Sequence, residues 1–484
     1  MRLALRLPLA RVPSAQRQSP PPGLRPFADP FLPDPVLEEF LHQASSLLCG
    51  WIGGAAATSP LPALSVLPEV APEVGGLPPE RLLADLQLVM EGAHNPHHPG
   101  ALAHLDPPPL AASIAADLIC AGLNNNLLAE ELSPSLTHLE RRLCGWLAAR
   151  LGLPEGAGGV AASGGSLSNL TALVTARHQR VPRDRGEGVV LCSEDAHVSL
   201  RKAMRVMGLP DQALRQVPVD LQGRMDVDAL AGMLEHLAHA GTPVIAVVAT
   251  AGTTVRGAVD PLGRIGALCR RHGHWLHVDG AIGAVFALVE GHRHRVQGLE
   301  LADSITVNPQ KLLGITKTSS LLLLADPTVL QEVFGTGLPY MEPSWGGGHG
   351  GEAGLQGTRP AEILKLWLGL RQLGLAGVES LLEAAIERRR LLEDRLTAPG
   401  RLLVRGGALH LLAFRPAGID ADAADRWSLQ TRQLLLGEQL MLSRPHYQGH
   451  HHLKAVLGNP HTRPEHLERL ARVVHQSLPT PGNG

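Results

Sequence analysis

Short apolar runs of strand length recur through the middle of the chain, separated by helix-length stretches. Residues 189–192, 244–249, 275–278, 304–307 and 319–324 are the strand candidates. Leu136, Leu139, Leu143 and Leu147 repeat at helical spacing and predict an amphipathic helix over residues 135–151. Residues 167–177 and 262–272 also read as helices. Buried strands alternating with helices predict an α/β fold with a mainly parallel sheet covered on both faces. Ligands of such sheets sit beyond the carboxyl ends of the strands, so the residue after each strand is read first.

The flanks have other textures. Residues 1–35 form a tail, rich in Arg and free of acids over its first 28 positions. The run Pro20-Pro21-Pro22 breaks any helix there, which favours a plain leader over an amphipathic transit segment. Residues 36–105 mix helical segments with Pro/Gly stretches, residues 106–377 form the large α/β unit, and residues 378–484 a smaller α+β unit. Inside the large unit, residues 336–357 read as a mobile loop, with seven glycines in 346–357.

Composition narrows the function classes. A net charge of −2 gives no electrostatic reason to expect nucleic acid or an anionic membrane, and no apolar run reaches spanning length. Five scattered cysteines, none in a Cys-x-x-Cys pair, suggest neither a disulfide framework nor a zinc site, and fit a reducing, cytoplasmic compartment. Arginine has displaced lysine almost everywhere: only Lys202, Lys311, Lys317, Lys365 and Lys454 remain. In such a chain a retained lysine is a candidate for chemistry arginine cannot do, such as Schiff-base formation.

Two strand ends carry that chemistry. Leu276-His277-Val278 leads into Asp279, and Ser304-Ile305-Thr306-Val307 leads through Asn308-Pro309-Gln310 into Lys311, 311 − 279 = 32 positions on. A lysine for the Schiff base and a carboxylate for the pyridine nitrogen are the pair pyridoxal phosphate needs. Gly164-Gly165-Ser166 opens a helix, as a phosphate site does; a Gly-Gly turn into a Ser N-cap accounts for it equally well. His197 follows a strand and can stack on a planar cofactor, or be one of 24 histidines on a surface. Thr250-Ala251-Gly252-Thr253-Thr254 follows another strand, as a polar turn or as hydroxyls facing the same crevice.

In order along the chain, these segments resemble the group II pyridoxal-phosphate amino-acid decarboxylases, relatives of glutamate, diaminobutyrate and aromatic-amino-acid decarboxylases. The matching stretches are residues 163–169, 193–197, 250–260, 277–281 and 304–311. The resemblance implies a fold-type I transferase architecture and a homodimer with interface active sites, packed partly through residues 36–105. By position Lys311 resembles the Schiff-base lysine, Asp279 the pyridinium partner, His197 the ring-stacking histidine and Ala281 the small residue beneath the ring. Gly165, Ser166 and Asn308 resemble phosphate ligands, and Thr254 the threonine near the cofactor's 3′ oxygen and the substrate carboxylate. The implied reaction is loss of CO₂ from an L-amino acid.

Two positions depart from the family. Gln310 stands where a histidine usually precedes the lysine, so it can hydrogen-bond but not titrate. The loop tyrosine that protonates Cα is matched only loosely by Tyr340, with His349 as a second candidate. For substrate recognition, His98 lies in a His-Pro pair with no aromatic after it, and Lys454 falls where some relatives carry a substrate-facing arginine. With 3% aromatic residues, a small acidic or diamino acid is expected. The competing readings are another reaction of the same cofactor, transamination or aldehyde formation, and a non-catalytic homologue.

Overall fold

The structure, a computed structural model, describes residues 24–64, 66–182, 188–337, 348–398 and 400–479. By internal contacts the chain divides into two units, Met1–Asn95 and Pro96–Gly484. In the first, α1 (Pro35–Gly53) starts where the Asp34 carboxylate accepts the N–H groups of Val36 and Leu37, both at 3.1 Å, with Pro35 preset for the first turn. It pairs with α2 (Pro79–Glu91), which buries Leu83.

Residues 96–105, expected with the N-terminal segment, belong to the second unit. The Leu102 N–H donates to Met441 O at 3.0 Å, and its side chain is buried with Leu440 and Leu442. The second unit is built on seven strands: β1 (Gly158–Ala162), β2 (Val189–Ser193), β3 (Leu214–Val217), β4 (Val244–Thr250), β5 (Leu276–Asp279), β6 (Ser304–Val307) and β7 (Ser320–Leu324). Their order is β1-β7-β6-β5-β4-β2-β3, parallel from β6 through β3 and antiparallel where β7 joins β6 and β1. This is the mainly parallel α/β sheet the apolar runs predict. Of the two strands they miss, β1 begins with Gly158 and Gly159 and has only a short apolar stretch, and β3 is an edge whose Arg215 and Gln216 face water.

Both faces of the sheet are packed. Pleating sends Leu276, Val278, Ile305 and Val307 into one cluster with Leu191, Val247 and Leu321. Helix α4 (Pro134–Arg150) packs on that side through Leu143 and Leu147, with α3 (Ala111–Leu123) preceding it. The opposite face holds Val190, Ala246, Val248 and Leu322 against Ala172, Leu173 and Ala176 of α5 (Gly165–Arg180). Each fully buried leucine contributes about 1.5–3 kcal/mol. The same face of β5 and β6 carries His277, Asp279, Ser304 and Thr306, a polar strip beneath α5. Register sets Asp279 between Thr250 and Thr306 on the neighbouring strands.

After the sheet, a helix from Ile363 to Thr397 breaks at Gly374, whose φ of 60° suits a residue without Cβ. Three antiparallel strands follow, Leu402–Gly406, Leu411–Pro416 and Leu453–Val456, with helices Ala421–Gly437 and Pro464–Gln476 beside them. No helix among the described residues is long and apolar enough to cross a membrane.

Tyr340 lies outside the described residues. Just before it, Glu352 accepts the Thr336 and Gly337 N–H groups and the Thr336 hydroxyl at 2.7–3.0 Å. Nearby, Arg359 and Glu140 form a buried two-bond ion pair at 2.6 and 2.7 Å. Removing one charge strands the other in a dry site. Arg359→Met is therefore expected to lose about 3–5 kcal/mol of stability, and Glu140→Leu with Arg359→Met to recover most of it. Urea denaturation of both variants measures the difference.

Candidate active site

The carboxyl ends of β2, β4, β5 and β6 and the start of α5 enclose one pocket. Gly165, Ser166, Asn169, His197, Thr250, Gly252, Thr253, Thr254, Asp279, Ala281, Ile282, Asn308 and Lys311 line it. Eight of the residues named from sequence meet there, Gly165, Ser166, His197, Thr254, Asp279, Ala281, Asn308 and Lys311, across 311 − 165 = 146 positions.

At one end, α5 opens without a side-chain cap, leaving the Gly165 and Ser166 N–H groups without a helical acceptor. Asn308 reaches over this turn. A Cβ on Gly165 would stand 2.9 Å from its Nδ2, so glycine is what lets the amide approach. Asn308 Oδ1 is buried with no protein partner. Free helix-end donors in a turn of small residues, with the Asn308 Nδ2 donor close to that turn, fit a phosphate group. At the other end, Asp279 is 6% exposed. Its Oδ2 accepts from Asn169 Nδ2 at 2.9 Å and its Oδ1 from the Ala281 N–H at 3.2 Å. Neither donor is charged, which leaves the carboxylate suited to a cationic ring nitrogen.

Residues 64–415 match the family described as pyridoxal-dependent decarboxylase conserved domain. The chain belongs to that family. An L-2,4-diaminobutyrate decarboxylase of Rhizobium meliloti is 33% identical over 78% of each chain. The human cysteine sulfinic acid decarboxylase is 33% identical over 66% of each. The apo crystal structure of mouse CSAD superposes with a TM-score of 0.83 at 25% identity, covering 92% of this chain and 99% of that one. The fold is also that of Oryza sativa TDC with PLP and tryptamine, at a TM-score of 0.85 and 23% identity over 93% and 99% of the chains. This decarboxylase is thus a fold-type I, pyridoxal-phosphate-dependent amino-acid decarboxylase.

Within the decarboxylase pocket, burial pushes the Lys311 amine below the usual lysine range, while Asp279 and Asp106 pull it back up. Burial also lowers His197, against the pull of Asp279. Lys454 comes from the C-terminal sheet. Its side chain is buried, Nζ donates to Thr254 O at 3.3 Å, and burial with the nearby Lys311 charge depresses its pKa to about 8.

Three named residues lie elsewhere. Gln310 does not line the pocket; its Oε1 accepts the Ser319 N–H. His98 is buried against the C-terminal part of the unit: Nδ1 accepts from the Gly100 N–H at 2.9 Å, and its carbonyl takes a bond from Asn459. His349 stands beside Glu352, Glu140 and Arg359, away from Lys311. Conversely, Asn169 and Ile282 line the pocket without having been singled out. Asn169 sits one helical turn after Gly165 (i+4), on the same face, and that spacing is the signal that marks it.

Gly165→Ala pushes the Asn308 amide away. It is expected to weaken cofactor binding about tenfold, the loss of one hydrogen bond to a charged group. Absorbance titration of the apo-protein reads it.

Proposed function

We propose that this decarboxylase acts on a small amino acid with an acidic side chain. The observation that carries the reading is Lys454, an ammonium buried at the pocket rim beside Thr254 and near Lys311. A buried cation is costly until an anion joins it. A substrate carboxylate compensates it, whereas a second ammonium adds repulsion. The human cysteine sulfinic acid decarboxylase is a relative named for an acidic amino acid. The second reading, a diamino acid, is favoured by the name of the Rhizobium relative.

Bound pyridoxal phosphate supplies an aldehyde for amines and a ring that takes up the electron pair left when CO₂ departs. Lys311, its pKa lowered by burial, would supply the amine that holds that aldehyde. Gly165, Ser166 and Asn308 hold the phosphate. Asp279 keeps a proton on the ring nitrogen. His197 would cover the ring, and Ala281 is small enough to leave room for it. The Thr254 hydroxyl serves the substrate carboxylate or the ring oxygen. A homodimer in the cytoplasm suits the solvent-exposed Leu118, Ile119 and Leu123 on α3 and Trp146 on α4, and the absence of any disulfide among the described cysteines.

A CO₂-release screen over the common amino acids and cysteine sulfinate, with amine identification by mass spectrometry, tests the reading. Turnover of acidic amino acids carries it. Turnover confined to diamino or aromatic amino acids overturns it. Lys311→Ala is expected to abolish turnover and borohydride labelling. The pH profile tests Lys454: deprotonation removes its charge as pH rises, so kcat/KM for an acidic substrate should fall above about 8. Lys454→Arg should move that limb to higher pH, and Lys454→Met should erase the preference for the acidic side chain.

A further inference from the structure

Behind Asp279 lies a chain of side-chain hydrogen bonds that the reaction as described does not use. Its hub is Asn169, 1% exposed. Asn169 Nδ2 donates to Asp279 Oδ2 and to Ser199 Oγ, both at 2.9 Å. Asn169 Oδ1 accepts from Thr306 Oγ1 at 2.7 Å and faces His277 Nε2 at 3.1 Å. The opposite amide orientation would turn an oxygen toward the Asp279 carboxylate, so the bonding pattern fixes this one. His277 Nε2 therefore carries the hydrogen. Its Nδ1 takes the Ser304 hydroxyl at 2.9 Å, and Ser304 Oγ takes the Trp275 Nε1–H at 2.9 Å. On the other side, Ser199 Oγ stands 2.9 Å from His197 Nδ1, which also accepts the Ser199 N–H at 3.2 Å.

One amide nitrogen thus holds both the acid at the end of β5 and, through Ser199, the imidazole at the pocket lip. Every link is neutral, and His277 is completely buried. Desolvation holds it in the uncharged form, down to about 4, although Asp279 pulls the other way. A charged His277 would share the Asp279 charge from behind, in competition with a cation in front.

We propose that Asn169 and His277 form an uncharged positioning relay that aims Asp279 and His197 at the cofactor ring and reserves the Asp279 charge for the ring nitrogen. The inference rests on the ring-nitrogen role given to Asp279 above. Asn169 also borders the pocket, whereas His277 does not; in this role both act through the two groups assigned to the ring.

The test uses nitrogen-15 histidine resonances of the apo-protein, together with the cofactor dissociation constant. The charged group facing His277 is Asp279; those facing His197 are Asp279, Lys311 and Lys202. In the wild type, His277 should keep the neutral Nε2–H signature at every pH where the protein is folded. Asn169→Asp puts a carboxylate at the hub. His277 should then titrate near neutral pH, and cofactor binding should weaken about tenfold or more as Asp279 loses a donor. His277→Gln, neutral and still able to donate to Asn169, should retain cofactor affinity. Ser199→Ala should move the His197 Nδ1 resonance and leave His277 unchanged. A His277 that titrates near neutral pH in the wild type overturns the proposal, as does an Asn169→Asp protein with unchanged histidine resonances and affinity. If Asn169→Asp does not fold, the wild-type titration and the other two variants decide. Asp279→Asn separates the underlying reading: unchanged cofactor affinity and absorbance profile there would sink the ring-nitrogen role, while the apo-protein resonances test the relay by themselves.

Discussion

Asp279 is a carboxylate taken out of water with no cation bonded to it, and much of the molecule is arranged around that fact. Two neutral donors, the Asn169 amide and the Ala281 N–H, meet its oxygens. Hydrogen bonds to a charged group contribute about 1.5–3 kcal/mol each. They offset only part of the cost of burying an isolated charge. What remains is an attraction for positive charge in the pocket, directed forward because the groups behind are uncharged. The sheet register makes this possible. Asp279, flanked by Thr250 and Thr306, lies on the face that α5 covers, so a helix residue can reach it from behind while the strand end opens forward.

The parts of this site legible in the sequence were those that local pattern and a topological rule determine together. Lys311, Asp279 and His197 each follow a short apolar run, and in a parallel sheet the positions after such runs converge. Asn169 was harder to read because its partners Asp279 and His277 lie 110 and 108 positions away. His277 left a trace. β5 reads apolar-polar-apolar-polar and β6 the reverse, an alternation that a strand buried on both faces has no need of. It marks a face where polar groups must pair with one another. His98 went the other way: its His-Pro neighbourhood suggested substrate, but Asn459, far along the chain, ties it into the C-terminal packing.

Lysine scarcity was a partial guide. Lys311 and Lys454 both stand at the pocket, where an amine that can lose its proton has uses a guanidinium lacks. Lys365 is more deeply buried than either, yet it bonds Lys317 O at 3.1 Å and pairs with Glu362 at 3.2 Å. There the compact ammonium serves packing. Lys317 pairs with Asp106 at 3.1 Å near the surface. Retention as lysine therefore selects for a compact head group as readily as for a titratable one, and only position relative to the strand ends separates the two.

Gln310 shows how a departure from the family can be structural at its root. Its Oε1 accepts the Ser319 N–H, tying the turn that carries Lys311 to the start of β7. A neutral imidazole has an acceptor nitrogen that can make one such bond, so the lysine turn survives the exchange. What glutamine gives up is the ability to hold a proton beside the lysine. Tyr447, the second of the chain's two tyrosines, donates to Asp195 at 2.7 Å, and burial with that bond pushes its pKa to about 12. It is a brace, not a donor. Among the described residues that line the pocket, the groups able to move a proton are then Asp279, His197 and Lys311. Asp279 is the group proposed above to face the ring nitrogen. His197 has its Nδ1 tied to Ser199 and keeps Nε2 for the pocket. Lys311 has its pKa lowered by burial, against the pull of Asp279 and Asp106.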